Sequence, residues 1–318
     1  LKALMRVAEL PPHAVNARCL GFSLGPRINA IGRMDASDYA LKLLLTGDAA
    51  EADALAERLD QANRERQLEQ ERILHEALRQ AERFVDDRIL VLASEKWHPG
   101  IIGIAASKIT ESLCRPTVMI AINQETNSAR GSCRSVEGFH IFEALNACRD
   151  HLERCGGHQA AAGFDMRPEN IPALREAMQE YARLELDEEL LQPSVRVDDE
   201  LPVEALDLRL ARELSMLEPF GHGNHEPVFV SRGLRVLEQR RLQGRNGNGV
   251  DHLKLRVQHP ALRQGIDALF WRAWQRAEEC AAASEIDACY TVEISTYNGA
   301  QSLQLILKDF RPSRALFD

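Results

Sequence analysis

No apolar run in the 318-residue sequence approaches the ~20 residues that a membrane-spanning helix requires, so no membrane association is expected. Seven cysteines lie at 19, 114, 133, 148, 155, 280 and 289, and no two form a C-x-x-C pair. That excludes zinc-finger spacing and a disulfide framework, and fits reduced thiols in the cytoplasm. Positive charge is also scarce. Thirty-nine Lys and Arg face 48 Asp and Glu, a net charge of −9, with a pI of about 5.7. This balance excludes a generally sticky nucleic-acid binder, so any such site must be a local basic surface on an acidic body. There is no internal repeat or low-complexity tract, and the first residue is Leu1 rather than methionine. What is present is ordinary for a soluble globular protein, 45% hydrophobic and 27% charged, and long enough for two or three domains. The opening Leu1-Lys2-Ala3-Leu4-Met5-Arg6-Val7 reads as the interior of a helix, so an N-terminal partner domain is expected upstream.

Residues 21–45 begin with a turn-rich stretch, Gly25-Pro26-Arg27-Ile28-Asn29-Ala30-Ile31-Gly32-Arg33, followed by a short helix from Tyr39 to Leu45. Asp48, with Glu51 three residues on, makes a capping-box-like start. From there to about Phe84 the sequence is dense in Ala, Glu, Arg, Gln and Leu without Gly or Pro, which predicts one long helix. Its apolar positions are too sparse for a full core face, so it reads as a spacer between domains. Ile89–Ala93 predicts a buried strand, Pro99-Gly100 opens a helix, and Thr117–Ile122 and Arg130–Ser135 predict further strands. That order suggests an α/β unit with a crossover. Helices follow near 140–153 and 169–184, with a glycine-histidine loop between them. A linker rich in acids and prolines then leads to a short helix, Leu208–Leu217. Strands are expected at 229–240, 250–258 and 266–271, a helix at 272–281, and strands at 287–297 and 301–309. Asn246-Gly247-Asn248-Gly249 and Asn298-Gly299 supply hairpin turns. Three strands, a helix and two strands is the element order of an OB-fold.

Gly156-Gly157-His158-Gln159-Ala160-Ala161-Ala162-Gly163-Phe164 is the most informative stretch. Two glycines let backbone approach closely, small residues leave room, and His158 can donate to an anion. A tight turn with close packing is the alternative. In Ser132-Cys133-Arg134-Ser135, Ser132 and Arg134 share a strand face, where a hydroxyl and a planar guanidinium can grip one phosphate. Taken alone, the segment reads first as a solvated edge. For Arg27 and Arg33, packing against carboxylates and contact with phosphate stand side by side. Trp97-His98-Pro99-Gly100 precedes a helix N-terminus, which favours anions, though it reads first as a packed turn. His222 and His225 lack neighbours at metal-ligand spacing. In the β module, Arg240, Arg241 and Arg245 sit at the first hairpin and Lys254 and Arg256 on the next strand, a candidate basic track. Such tracks work with aromatic stacking platforms. Trp271, Trp274, Tyr290 and Tyr297 are the candidates, with Trp271 and Tyr290 expected in the core.

In this order the motifs resemble the RecJ family of single-strand-specific DNA exonucleases, within the DHH phosphoesterase superfamily. The resemblance rests on Pro26–Arg33, Trp97–Gly103, Gly131–Ser135, Gly156–Phe164 and Glu218–Phe229, and so runs along nearly the whole chain. It implies an α/β DHH-associated domain (87–190) joined by a long connecting helix (47–86) to the tail of a catalytic domain (1–46). A linker (191–228) and an all-β OB-fold-like domain (229–318) would follow. It further implies that Ser132 and Arg134 hold a 5′-terminal phosphate, with Gly156 and Gly157 beside them. His158 would line the cleft near the scissile phosphate as the catalytic member, and Arg27 or Arg33 would add phosphate contacts. Arg240, Arg241, Arg245, Lys254 and Arg256 would grip the strand.

Family members hold two Mg²⁺ or Mn²⁺ ions through Asp-x-Asp and Asp-His-His motifs. No Asp-His-His occurs here, and no carboxylate cluster replaces it. The metals are therefore expected upstream and none in this chain. Two-metal hydrolysis needs both ions, so the chain alone is expected not to cleave DNA. Single-stranded DNA is the implied partner of a monomer serving DNA repair and recombination. A contact with single-strand-binding protein is also implied, without a recognisable docking motif. Two other readings stay open: a phosphodiesterase of short oligonucleotides or cyclic dinucleotides, and a non-catalytic single-strand-binding module. The OB-like tail and residues 218–229 speak against the first of these.

Overall fold

The computed structural model describes residues 1–11, 15–34, 38–243, 251–262, 264–297 and 299–313, apart from the side chains of Ile31, Arg33, Met34 and Tyr297. The chain divides into two compact units, 1–193 and 194–318. Among the described residues no helix is long and apolar enough to cross a membrane, and no disulfide forms.

The first unit opens with α1 (Lys2–Val7), α2 (Ala17–Cys19), a π-helical turn over Leu20–Leu24, α3 (Gly25–Met34), α4 (Asp38–Leu45) and α5 (Ala49–Ala81). The stretch 25–33, expected as turns, is helical. Proline suits a helix's first turn, where its absent N–H is not missed, and the wider π turn ahead of Pro26 relieves the usual clash. Gly25 is required at that junction, because a Cβ there would lie 2.9 Å from the Leu20 carbonyl oxygen.

Asp48 caps α5, its carboxylate accepting from the N–H groups of Ala50 and Glu51 at 2.7 and 3.1 Å. The helix serves two cores. Ala56 and Leu59 pack with Ala3, Leu4, Leu24 and Leu43, while Ile73, Ala77 and Ala81 pack with Leu90, Leu92, Ile102 and Met119. Between them the helix is polar, and Arg66 donates to Asn63 and Gln70 at 3.0 Å each. At 1.5 Å per residue, Leu59 and Ile73 stand about 21 Å apart. The sparse apolar pattern thus reflects two separated contact patches.

Next come β1 (Leu90–Ser94), α6 (Ile102–Leu113), β2 (Thr117–Asn123), β3 (Ser128–Arg134), α7 (Ile141–Ala147), β4 (Arg154–Gly157), β5 (Ala161–Met166) and α8 (Ile171–Glu185). The sheet order is β1-β2-β3-β5-β4. β1 and β2 are parallel, joined by the α6 crossover, and the other pairings are antiparallel. One face carries α7 and α8, with Val118, Ile120, Cys133 and Phe164 packing on Leu145, Leu174 and Met178. The glycine-histidine stretch, expected as a loop between helices, is the β4–β5 hairpin. Its turn closes when the His158 N–H donates to the Ala161 carbonyl at 2.8 Å. Gly157 permits the approach, since a Cβ would sit 2.4 Å from the Ala162 Cα.

The second unit comprises β6 (Asp199–Glu200), α9 (Leu208–Ser215), β7 (Phe229–Gln243), β8 (Asp251–Gln258), β9 (Ile266–Phe270), α10 (Ala277–Ala282), β10 (Glu285–Tyr297) and β11 (Ala300–Pro312). β7, β8 and β9 form an antiparallel run, β9 pairs in parallel with β11, and β11 with β10. β10 also pairs with β7, closing a five-stranded barrel with OB topology. The hairpin residues 246–249 and Asn298 lie outside the described residues. Tyr290 is fully buried. The Ser231 hydroxyl donates to the Leu201 carbonyl at 2.6 Å, so the Tyr290 hydroxyl donates to Ser231, also at 2.6 Å. Burial pushes the Tyr290 phenol up to about 12.

Residues 194–228, expected within a linker, belong to this second unit. β6 pairs with β7, and Val203, Leu206 and Ala211 enter the barrel's core. These few apolar residues are masked by the acids and prolines around them.

Gly131, in β3, lies beneath the Phe164 ring, where a Cβ would come within 2.0 Å of a ring carbon. Gly131→Ala is expected to cost about 1–3 kcal/mol by overpacking. Native-state amide exchange checks this: protection should fall across β3 and β5 and stay unchanged in the barrel.

Candidate nucleic-acid interface

Along β3 the side chains alternate. Ala129 and Cys133 enter the core under α7 and α8, and burial pushes the Cys133 thiol well up, so it stays protonated and inert. Arg130, Ser132 and Arg134 face the α6 side. The Trp97-His98-Pro99-Gly100 turn delivers α6 there. Trp97 is buried in the core, and His98 Nδ1 accepts the Gly100 N–H at 3.1 Å, which matches the packed-turn reading.

Two residues complete the arrangement: Gly103, which ends the Trp97–Gly103 motif without an assigned role, and Ser107. Gly103 lies so close that a Cβ would stand 2.9 Å from Ser132 Oγ and 3.1 Å from Arg134 Nη2. Ser107, one helical turn later, accepts from Arg134 Nε at 3.1 Å. Arg134 Nη1 donates to Ser132 Oγ at 3.2 Å and to the Cys133 carbonyl at 2.7 Å. The guanidinium is therefore held in one orientation by three oxygens from two elements. The i, i+4 spacing of Gly103 and Ser107 after the proline turn was the available signal.

Beyond β3 the same face is bare. Ser132 stands opposite Gly163, and Gly163 opposite Gly156. A Cβ on Gly156 would meet nothing within 4 Å, so a glycine shelf runs from Ser132 to the sheet edge. At one end the hairpin turn exposes His158. At the other, Arg130 and Arg154 flank Asp165 at 3.0 and 3.6 Å. An open cleft of about 920 Å³ borders this end, with Trp97, His98, Asn123, Arg130, Arg154 and Asp165 in its lining.

Arg27 stands apart from this cluster. Its Nε donates to Asp60 at 2.8 Å and its Nη1 to the Ser23 carbonyl at 2.7 Å. It ties α3 to α5, which matches the packing alternative. The Arg33 side chain lies outside the described residues.

The barrel brings together only part of the basic track. Arg240 lies across from Lys254, so Arg240, Lys254 and Arg256 share a face. Arg241 points to the other side, bonds Asp251 through Nε at 2.7 Å and sits 5.8 Å from the Trp274 ring centre. Arg245 lies outside the described residues. Asp267 accepts from Lys254 at 2.7 Å and Arg256 at 2.5 Å. Its burial favours the protonated form, but the bonds from Lys254 and Arg256 outweigh that and hold the carboxyl below its ordinary range. Glu238 stands across from Arg256, so three cations share this face with two carboxylates. Among the aromatics, Tyr290 is core as expected. Trp271, also expected in the core, is 49% exposed. It follows the last residue of β9, where the barrel wall ends, and packs edgewise on His252 at 4.8 Å between ring centres. The Tyr297 side chain lies outside the described residues.

Known families match both units. The DHHA1 domain matches residues 86–184 and the RecJ OB domain residues 197–309, defining a class in which an α/β DHHA1 domain precedes an OB barrel. Over 321 residues the chain is 35% identical to the single-stranded-DNA-specific exonuclease RecJ of Bacillus subtilis, covering 100% of this chain and 40% of that protein. It is 33% identical to the RecJ of Thermus thermophilus (98% and 43%) and 30% to that of Escherichia coli (98% and 54%). The crystal structure of Thermus thermophilus RecJ in complex with Mg²⁺ superposes with a TM-score of 0.81 at 33% identity, covering 99% of this chain and 46% of that one. The chain carries the DHHA1 and RecJ OB domains and matches the C-terminal part of RecJ exonucleases. It spans about half or less of the length of these relatives.

Asp267→Asn should release both cations of the barrel face. The variant is expected to elute from heparin at higher salt than the parent chain. Its salt dependence on a single-stranded polyanion should steepen by about 0.7 for the charge gained, with at most ~1 kcal/mol lost from these half-exposed pairs.

Proposed function

We propose that this chain is the strand-gripping half of a 5′-to-3′ single-stranded-DNA exonuclease acting in DNA repair and recombination. The observation that carries this reading is the cluster of Gly103, Ser107, Ser132 and Arg134 at the head of the glycine shelf. A terminal phosphate needs several donors converging on one point, and a charge-assisted guanidinium bond is the strongest available. Arg134 supplies the charge and Ser132 a neutral hydroxyl. Gly103 keeps the space above them open. The bare shelf of Gly163 and Gly156 then lets a sugar-phosphate backbone lie close to the sheet, as glycine allows. In this reading His158 lines the path at the shelf's end near the scissile phosphate, where an imidazole can donate to a phosphate oxygen. The barrel holds the following nucleotides.

The Thermus thermophilus relatives of known structure are complexes with Mg²⁺ or Mn²⁺. The residues of this chain do not fit such a site. Among the described residues no three His, Cys, Asp or Glu side chains converge, and Asp165 is engaged by two arginines. In this reading the divalent ions of the full-length enzyme are held by the portion of the relatives' length that this chain does not span, and the chain alone does not hydrolyse DNA. A monomeric state, a cytoplasmic location and a contact with single-strand-binding protein complete the proposal.

Fluorescence anisotropy with a 5′-phosphorylated strand, the same strand bearing a 5′-hydroxyl, and a duplex of equal length tests it. The chain is expected to prefer the single strand and to bind the phosphorylated form more tightly. Arg134→Ala should abolish that 5′ preference, at about 10- to 150-fold for a hydrogen bond to a charged group. Gly103→Ala should weaken it while leaving the melting temperature unchanged. Equal affinity of the unaltered chain for both 5′ ends would refute the phosphate assignment.

A further inference from the structure

We infer that Trp271 is a base-stacking platform of the barrel, with His252 as its brace. This rests on the reading that the chain holds single-stranded DNA, and adds where a nucleobase lies.

Three observations place the platform. A tryptophan at 49% exposure on a closed barrel presents an apolar face to water, and the free energy is recovered when something planar covers it. The ladder that pairs Leu253 with Phe270 sets His252 across from Trp271, on the side of the sheet that bears Lys254 and Arg256. Trp271 is also held in position. The rings meet at 78° with centres 4.8 Å apart, so His252 takes at most one face of the indole. His252 Nδ1 in turn accepts the Arg272 N–H at 3.0 Å. Arg272 has φ +58, a left-handed conformation that non-glycine residues adopt rarely and that needs local support. The imidazole thus fixes both the ring beside it and the backbone that follows.

Lys254 and Arg256 lie two and four residues from His252, about 7 and 14 Å along the strand. Asp267 aligns both cations through its two oxygens. A strand whose phosphates follow these cations brings a base over Trp271. Every base has a π-face, so the contact is indifferent to sequence, and its value is about 1–3 kcal/mol per stacked base.

The test compares an oligothymidylate with an abasic deoxyribose-phosphate strand of equal length, against the unaltered chain, Trp271→Ala, Trp271→Phe and His252→Ala. Trp271→Ala should lose about 5- to 150-fold in affinity for the thymidylate and nothing for the abasic strand, while Trp271→Phe keeps most of the binding. Thymidylate should quench the chain's tryptophan fluorescence, and Trp271→Phe should remove that quench. Should Trp271→Ala fail to fold, the Phe variant and the quench decide the question. Unchanged thymidylate affinity in Trp271→Ala, or an equal loss on both strands, overturns the platform alone, provided Arg134→Ala still loses the 5′-phosphate preference. Failure of the unaltered chain to bind any single strand overturns the underlying reading, and the platform with it.

Discussion

A slip of one residue between β3 and β5 would turn Arg130, Ser132 and Arg134 into the core and push Ala129, Gly131 and Cys133 to the surface, because strand side chains alternate. The contact of Gly131 with Phe164 opposes that slip. The ring occupies space that only a glycine leaves free, and any other register sets a side chain beneath it. Everything on the α6 side follows from this register: the alignment of Ser132 with Gly163 and Gly156, and the meeting of Arg134 with Ser107. The placement of Ser132 and Arg134 therefore depends on a packing contact on the opposite face of the sheet.

Charge is managed locally. On an acidic body, several cations near the candidate surfaces are each paired with a carboxylate. Arg27 is tied to Asp60, Arg130 and Arg154 share Asp165, and Lys254 and Arg256 share Asp267. Such pairing removes side-chain freedom that a ligand would otherwise have to freeze, while weakening the bare electrostatic pull on any polyanion. Arg134 is oriented too, by the oxygens of Ser107, Ser132 and Cys133.

Much of the fold was legible in the sequence. The Asn-Gly signals and the order of three strands, a helix and two strands point to the OB barrel. Asp48 and the absence of Gly and Pro mark the long helix. What escaped reading depends on neighbours distant in the chain. The helix at 25–34 was hidden because Pro26 reads as a breaker unless the preceding π turn is known. The i, i+4 spacing of Gly103 and Ser107 is visible in the sequence, but their partners on β3 are not. Trp271 resembles a core residue by type, and its exposure follows from its place just past the end of β9. The half-neutralised barrel face could not be seen either, since Asp267 is separated in sequence from the cations it aligns.

The polar middle of α5 has a mechanical meaning. With one apolar patch seated at Leu59 and another at Ile73, the helix acts as a strut whose ends must keep a fixed azimuth. Inserting one residue between them would rotate one patch by about 100° against the other and lift it from its core. Seven residues, close to two full turns, would restore the azimuth to within about 20° while lengthening the strut by about 10 Å. The reach of this unit thus changes in steps of near-whole turns rather than residue by residue.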